Sequence, residues 1–212
     1  GSGKKLVAQL VHQNSKFSKN LYSIIDFKNI TEVEKNILFS VDEKNKNKNL
    51  FTHSNDTSLI LENIDLLTID YQKKLLFLLE DNQFYSKDNL LLQHKIISLS
   101  SKNLLEEIIK GNFLKSLYDR LSVININIPP INSRREDIVI IFEFYLNYHN
   151  KNKKFNFIFS KNAKSKLELY DWPGNISQII NYAEKTIILN HNLVANDQFE
   201  IDNLPLDMGE YN

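Results

Sequence analysis

The chain has 212 residues, 26 Lys plus Arg against 26 Asp plus Glu, and 42% apolar residues, which suits an ordinary domain with a sizeable core. The zero net charge argues against a basic field for nucleic acid, and the lack of Cys excludes disulfides and thiolate metal sites. No apolar run approaches the roughly 18–20 residues of a membrane span and no signal peptide is present, so a soluble cytoplasmic protein is expected.

In chain order, Leu6, Val7, Leu10 and Val11 recur at helical spacing between Lys5 and Asn14. Leu21–Phe27 reads as a strand and Thr31–Ser40 as a helix with Val33, Ile37 and Leu38 apolar. Val41–Asn49 is polar and aperiodic, an exposed loop. Strands are expected from Ser58 to Leu61, His94 to Leu99, and over the alternating Ser122–Ile128, which Pro129 and Pro130 stop. Helices are expected from Asp70 to Glu80, with Leu75, Leu78 and Leu79 inward, and from Asn103 to Lys110, ended by Gly111. This alternation predicts a parallel sheet covered on both faces. Beyond Pro130 the pattern changes to helices at Ile138–Asn150, Ser160–Tyr170 and Asn175–His191 with no strand between them, and a polar tail from Asn196.

The start, Gly1-Ser2-Gly3-Lys4, runs straight into a helix, like the end of a phosphate-binding loop. Glycines let backbone N–H groups approach phosphate, the Lys offsets its charge and the helix N-terminus adds its dipole. Alone, these four residues suit an appended linker equally well. The residues that follow carry more. Gly1–Ser15 (GSGKKLVAQLVHQNS) resembles GxGKELVARAIHxxS, the pattern of the AAA+ domain of NtrC-type bacterial enhancer-binding regulators. Further along, Glu34–Ser40 is similar to ESELFG, Thr57–Ile64 to GTLFLDEI and Gln72–Leu79 to QAKLLRVL. Gly111–Leu121 is similar to GxFRxDLYYRL and Pro129–Ile138 to PPLRERREDI, and Trp172–Asn175 is identical to the WPGN that opens WPGNVREL. Seven segments in order, over nearly the whole chain, identify it as a member of that family, and LYDRLSV, RREDI and DWPGN resemble its NtrX-like branch.

The resemblance implies a P-loop α/β core over residues 1–137, an all-helical lid over 138–195 and a linker over 196–212. Because Gly1 falls inside the phosphate loop of the pattern, the first strand of the core is expected to precede these residues. ATP and Mg²⁺ are the implied cofactors. Gly1, Ser2, Gly3, Lys4 and Lys5 would surround the phosphates, and Glu62, at the Walker B Asp position, would hold Mg²⁺. Arg120 matches the second of two arginines that reach a neighbour's nucleotide. Self-assembly in a ring or dimer is implied, with DNA bound only through a C-terminal domain outside these residues and no membrane partner.

Several positions depart from the pattern. Lys5 stands where the family has Glu or Asp. Asn63 replaces the Glu that polarises the attacking water, and an amide is no general base near neutral pH. Ser101 replaces the sensor I Asn, Leu114 and Ser116 replace the Arg and Asp of FRxDL, and Ser177 replaces the sensor II Arg. Between Val41 and Asp56 there is no GAFTGA, the motif that presses on sigma-54, and only Phe51-Thr52 echoes it. Together these imply a transcription-controlling domain that assembles with nucleotide, hydrolyses it slowly and does not drive sigma-54. The alternative is a pseudo-ATPase scaffold with little or no nucleotide binding.

Other candidates have plainer readings. His12, His53, His94, His149 and His191 lack metal-site spacing and are expected at the surface or in structural roles. Asp70 suits a helix start better than acid–base work, and Lys151–Lys154 with Phe155 and Phe157 a solvated loop. Trp172, Phe142, Tyr145 and Tyr148 are expected in the lid core.

Overall fold

The computed structural model describes residues 2–39, 58–80, 95–149, 156–189 and 198–201. The expected loop at Val41–Asn49, the Phe51-Thr52 pair, His53, His94, His191 and Lys151–Lys154 lie outside them. Two compact units emerge: Lys4–Ile126, and Asn127–Asn212 together with Gly1–Gly3.

The first unit contains α1 (Lys4–Gln13), β1 (Ser23–Asp26), α2 (Glu32–Leu38), β2 (Ser58–Glu62), α3 (Ile69–Glu80), β3 (Lys95–Leu99), α4 (Leu104–Ile109) and α5 (Lys115–Leu121). Its three strands are parallel in the order β1-β2-β3, with Ile25 opposite Leu61 and Leu61 opposite Ser98. A parallel neighbour needs a crossover, which α2 and α3 provide. The central β2 buries Ser58, Leu59, Ile60 and Leu61 in succession, as a strand covered on both faces must.

Helix faces follow from what the sheet can accept. Leu75, Leu78 and Leu79 of α3 are buried as their spacing requires, each contributing about 1.5–3 kcal/mol. On α1 the buried pair is Ala8 and His12, one turn apart, while Leu6 and Leu10 stay 58% and 47% exposed. His12 tolerates burial because both ring nitrogens are satisfied, Nδ1 by Ser58 Oγ at 2.8 Å and Nε2 by the Asn20 carbonyl at 3.1 Å. The start of α2 is a capping box: Thr31 Oγ1 accepts from the Glu34 N–H at 3.3 Å, and Glu34 Oε2 accepts from the Thr31 N–H at 2.7 Å. Gly111 ends α4 at φ +75°, a backbone that favours glycine.

Gln72 is fully buried yet saturated. Its Nε2 donates to the Leu67 and Asn112 carbonyls at 2.8 and 2.9 Å, and its Oε1 accepts from the Leu114 N–H at 2.8 Å. It ties α3 to the loop before α5.

Ser122–Ile128 is not a strand, contrary to its alternation. Alternation supplies a pleated face but not a hydrogen-bonding neighbour, and the sheet of described residues ends at β3. Val123, Ile124 and Ile126 are 84%, 81% and 56% exposed.

The second unit holds α6 (Glu136–His149), β4 (Asn156–Phe159), α7 (Lys161–Leu169), α8 (Asn175–Leu189) and β5 (Gln198–Ile201). Ile138, Phe142, Leu146, Ala163, Leu167, Trp172 and Ile179 form its core. Tyr145 packs against that core, whereas Tyr148 is 52% exposed. Trp172 is 1% exposed and donates Nε1–H to the Leu167 carbonyl at 2.8 Å. The expectation of a wholly helical second part needs correcting, because β4 and β5 pair in parallel, Phe157 opposite Phe199. The β5 residues fall inside the segment read as tail. No local pattern reveals a parallel ladder whose partner lies some forty residues away. Among the described residues no helix is long and apolar enough to cross a membrane.

Candidate functional site

In parallel α/β sheets, functional groups gather where the strands end at their carboxyl side. In the first unit β2 ends at Glu62, followed by Asn63, and β3 ends at Leu99, followed by Ser100 and Ser101. The N-terminus of α1 joins this edge through its first turn. Lys5 Nζ lies 3.3 Å from Glu62 Oε2, linking residues 57 apart in sequence. The Lys5 side chain is 53% exposed and that of Glu62 18%, so the pair stabilises the fold by no more than about 1 kcal/mol. The first turn of α1 holds Lys4 and Lys5 and no acid, which together with the helix dipole makes it electropositive.

Asn63 adopts the left-handed region at φ 58°, ψ 44°, which Asn tolerates better than most side chains. Its Nδ2 donates to Asp26 Oδ1 at 2.6 Å. Asp26 also accepts from the Lys28 N–H at 3.0 Å and from Asn29 Nδ2 at 2.6 Å, so the end of β1 and the end of β2 are held by one carboxylate. Ser101 is held similarly: its N–H and Oγ donate to Asp65 Oδ1 and Oδ2 at 3.1 and 3.2 Å. These contacts put Lys5, Glu62, Asn63, Asp26, Asp65 and Ser101 along one edge of the sheet.

Arg120 stands apart from that group. Its Nη2 donates to the Leu79 carbonyl at the end of α3, 3.0 Å away. Leu114 packs against the core of the first unit, so the position that carries an Arg in the family pattern is here an apolar contact, and Ser116 is exposed.

Ser2, Gly3 and Ser177 belong to the second unit. Gly3 has φ +96°, and a Cβ there would come within 3.2 Å of Ile176 Cδ1. The Ser2 carbonyl accepts from Arg134 Nη2 at 2.8 Å, while Arg134 Nε is buried with no partner. Ser177 is exposed in the first turn of α8. That helix is set by the WPGN turn: Trp172 and Asn175 both have positive φ, and Asn175 Oδ1 accepts from the Ile131 N–H at 2.9 Å. Gly1 lies outside the described residues.

Sequence reasoning missed Asp26 and Arg134, and gave Asp65 no contact. An Asp at the end of a parallel strand, followed three residues later by Asn, was the available signal for Asp26. Nothing local marks Arg134, whose contact is 132 residues away in sequence.

This edge, a parallel sheet opposite a cationic helix N-terminus with a separate helical unit, is the architecture of an AAA+ core and lid. Residues 1–127 match the sigma-54 interaction domain family, and residues 132–211 match the AAA+ ATPase lid domain. The chain belongs to the sigma-54 interaction domain family. An NtrX-like response regulator of Rickettsia typhi is 32% identical over 209 residues, covering 93% of this chain and 43% of the relative. NtrX from Brucella abortus in complex with ATP superposes with a TM-score of 0.83 at 27% identity, over 99% of this chain and 48% of the other. The same protein in complex with ADP gives 0.82 at 27% identity, over 99% and 49%. The chain thus spans less than half the length of these relatives.

Proposed function

We propose that this chain is the nucleotide-responsive AAA+ domain of an NtrX-type transcription regulator, binding ATP or ADP and hydrolysing ATP slowly. The observation that carries the reading is the meeting of the α1 N-terminus with the end of β2 through Lys5 and Glu62. An acid-free helix start with Lys4 and Lys5 suits a polyphosphate, and Gly3, with no side chain at φ +96°, suits close backbone approach. The complexes of the Brucella abortus relative with ATP and ADP support the same ligand class.

In this reading Lys4 and the first N–H groups of α1 bind phosphate oxygens. Hydrolysis is slow because the group beside the end of β2 is the Asn63 amide, which donates to Asp26 and takes no proton from water. Ser101 is short and committed to Asp65, and Ser177 offers no cation. Mg²⁺ held by Glu62, the expectation from the family pattern, does not suit these residues. The carboxylate already faces the Lys5 ammonium. Nucleotide-driven self-assembly is the output proposed. Engagement of sigma-54 is not, since Val41–Asp56 lacks the GAFTGA motif.

Titration calorimetry of ATP into the full-length protein and its Lys4→Ala variant tests the reading. Binding that disappears in the variant supports it. No binding to either protein would leave the scaffold alternative standing. Phosphate release at about 1 s⁻¹ or faster, an ordinary enzyme rate, would refute slow hydrolysis.

A further inference from the structure

We infer that Lys5 is a built-in cation that takes over the charge role of a divalent metal, so that nucleotide binding here does not depend on Mg²⁺. The inference rests on the nucleotide reading above and deepens it.

In the family pattern the residue after the phosphate-loop Lys is an acid, and a second acid at the end of a neighbouring strand helps to hold Mg²⁺. Here the first acid is replaced by a cation, and the second is kept but engaged. The residue after Lys4 is another Lys, and the acid at the end of β2, Glu62, has its Oε2 3.3 Å from the Lys5 ammonium. The carboxylate that would face a metal is therefore joined directly to the Lys5 ammonium.

Charge makes the arrangement self-consistent. Mg²⁺ demands several oxygen ligands at short range, and an ammonium supplies none while repelling a dication from the same carboxylate. Lys4, Lys5 and Glu62 together carry one net positive charge, so a polyphosphate meets an attractive site before any metal arrives. The geometry favours Lys5 for this role over a general surface lysine. It sits in the first turn of α1, where the helix dipole also draws anions, and Glu62, only 18% exposed, keeps its amine at the strand end. The first turn contains no acid to compete for it.

The test is ADP and ATP affinity of the full-length protein, by titration calorimetry, in Mg²⁺ and in EDTA. The wild type is expected to show dissociation constants within about threefold of each other in the two buffers. Lys5→Glu, which restores an acid beside Glu62, is expected to bind at least about tenfold more weakly in EDTA than in Mg²⁺. Lys5→Thr, a milder change at an exposed position, is expected to move the same way, and circular dichroism establishes that both variants are folded. A wild-type affinity that falls more than about tenfold on removing Mg²⁺ would overturn the inference while leaving nucleotide binding intact. Absence of ADP and ATP binding in both buffers would overturn the nucleotide reading itself, and this inference with it.

Discussion

The Asn63 side-chain amide donates to Asp26 Oδ1 at 2.6 Å, joining the ends of β1 and β2 across 37 residues of sequence. Asn63 holds this contact from a left-handed backbone at φ 58°. Restoring the family's Glu at this position therefore carries two costs, a side chain poorly suited to that backbone and a second carboxylate beside Asp26. Asn63→Glu is expected to lower stability by about 1–3 kcal/mol. It is not expected to raise phosphate release to about 1 s⁻¹, because Ser101, Leu114 and Ser177 remain. Urea unfolding and a phosphate-release assay on one preparation check both halves.

Arg120 has a structural task whether or not it also reaches a neighbouring subunit. Its bond to the Leu79 carbonyl ties α5 to the end of α3. Arg120→Ala is expected to destabilise the protein by about 1–2 kcal/mol, measured at a concentration low enough to keep it monomeric. An unchanged unfolding midpoint would refute that structural task.

Gln72 replaces hydrophobic packing with three hydrogen bonds in the interior. Gln72→Leu keeps the volume but leaves the Leu114 N–H and two carbonyls without that partner. A loss of about 2–4 kcal/mol is expected, several times that of a surface substitution. Denaturant unfolding decides between this and a tolerant core.

Acid sensitivity is expected to concentrate at Glu107. Its carboxylate, 7% exposed by residue, accepts from Asn112 Nδ2 at 3.0 Å and Lys110 Nζ at 3.1 Å. The Asn112 hydrogen bond, followed by that of Lys110, lowers its pKa below the ordinary 4.5. The stabilisation is therefore complete above about pH 4.5 and fades as pH falls through the lowered folded value. Glu34, lowered by the Thr31 N–H and hydroxyl, behaves in the same direction. Glu107→Gln is expected to flatten the acid limb of a stability–pH curve and to leave its neutral slope unchanged.

The second unit is expected to depend on Trp172. Truncation to Ala removes the largest buried ring and its bond to Leu167, a loss of about 3–5 kcal/mol. Near-ultraviolet circular dichroism and thermal unfolding of the variant would reveal whether this unit still folds.

The sequence carried the periodic elements well because their signals are local. The α3 leucines, the apolar β2 run and the WPGN turn each declare themselves within a few residues. What stayed hidden depends on partners elsewhere. Among the described residues Ser122–Ile128 has the pattern of a strand without a neighbour to pair with, and β4 pairs with the distant β5. That His12 takes a structural rather than a surface role depends on groups from other segments, Ser58 and the Asn20 carbonyl. The site divides along the same line. Lys4, Lys5, Glu62 and Asn63 were legible as positions in a pattern. That Lys5 faces Glu62 and Asn63 faces Asp26 follows only from folding.

The exposed Val123, Ile124 and Ile126 govern how this polypeptide behaves in a tube. A run of exposed apolar side chains favours adhesion between molecules. Colloidal behaviour of these residues in isolation is therefore set by that run, and light scattering will rise with concentration. Exchanging Ile124 for Lys should suppress that rise without touching the sheet edge where Lys5 and Glu62 meet.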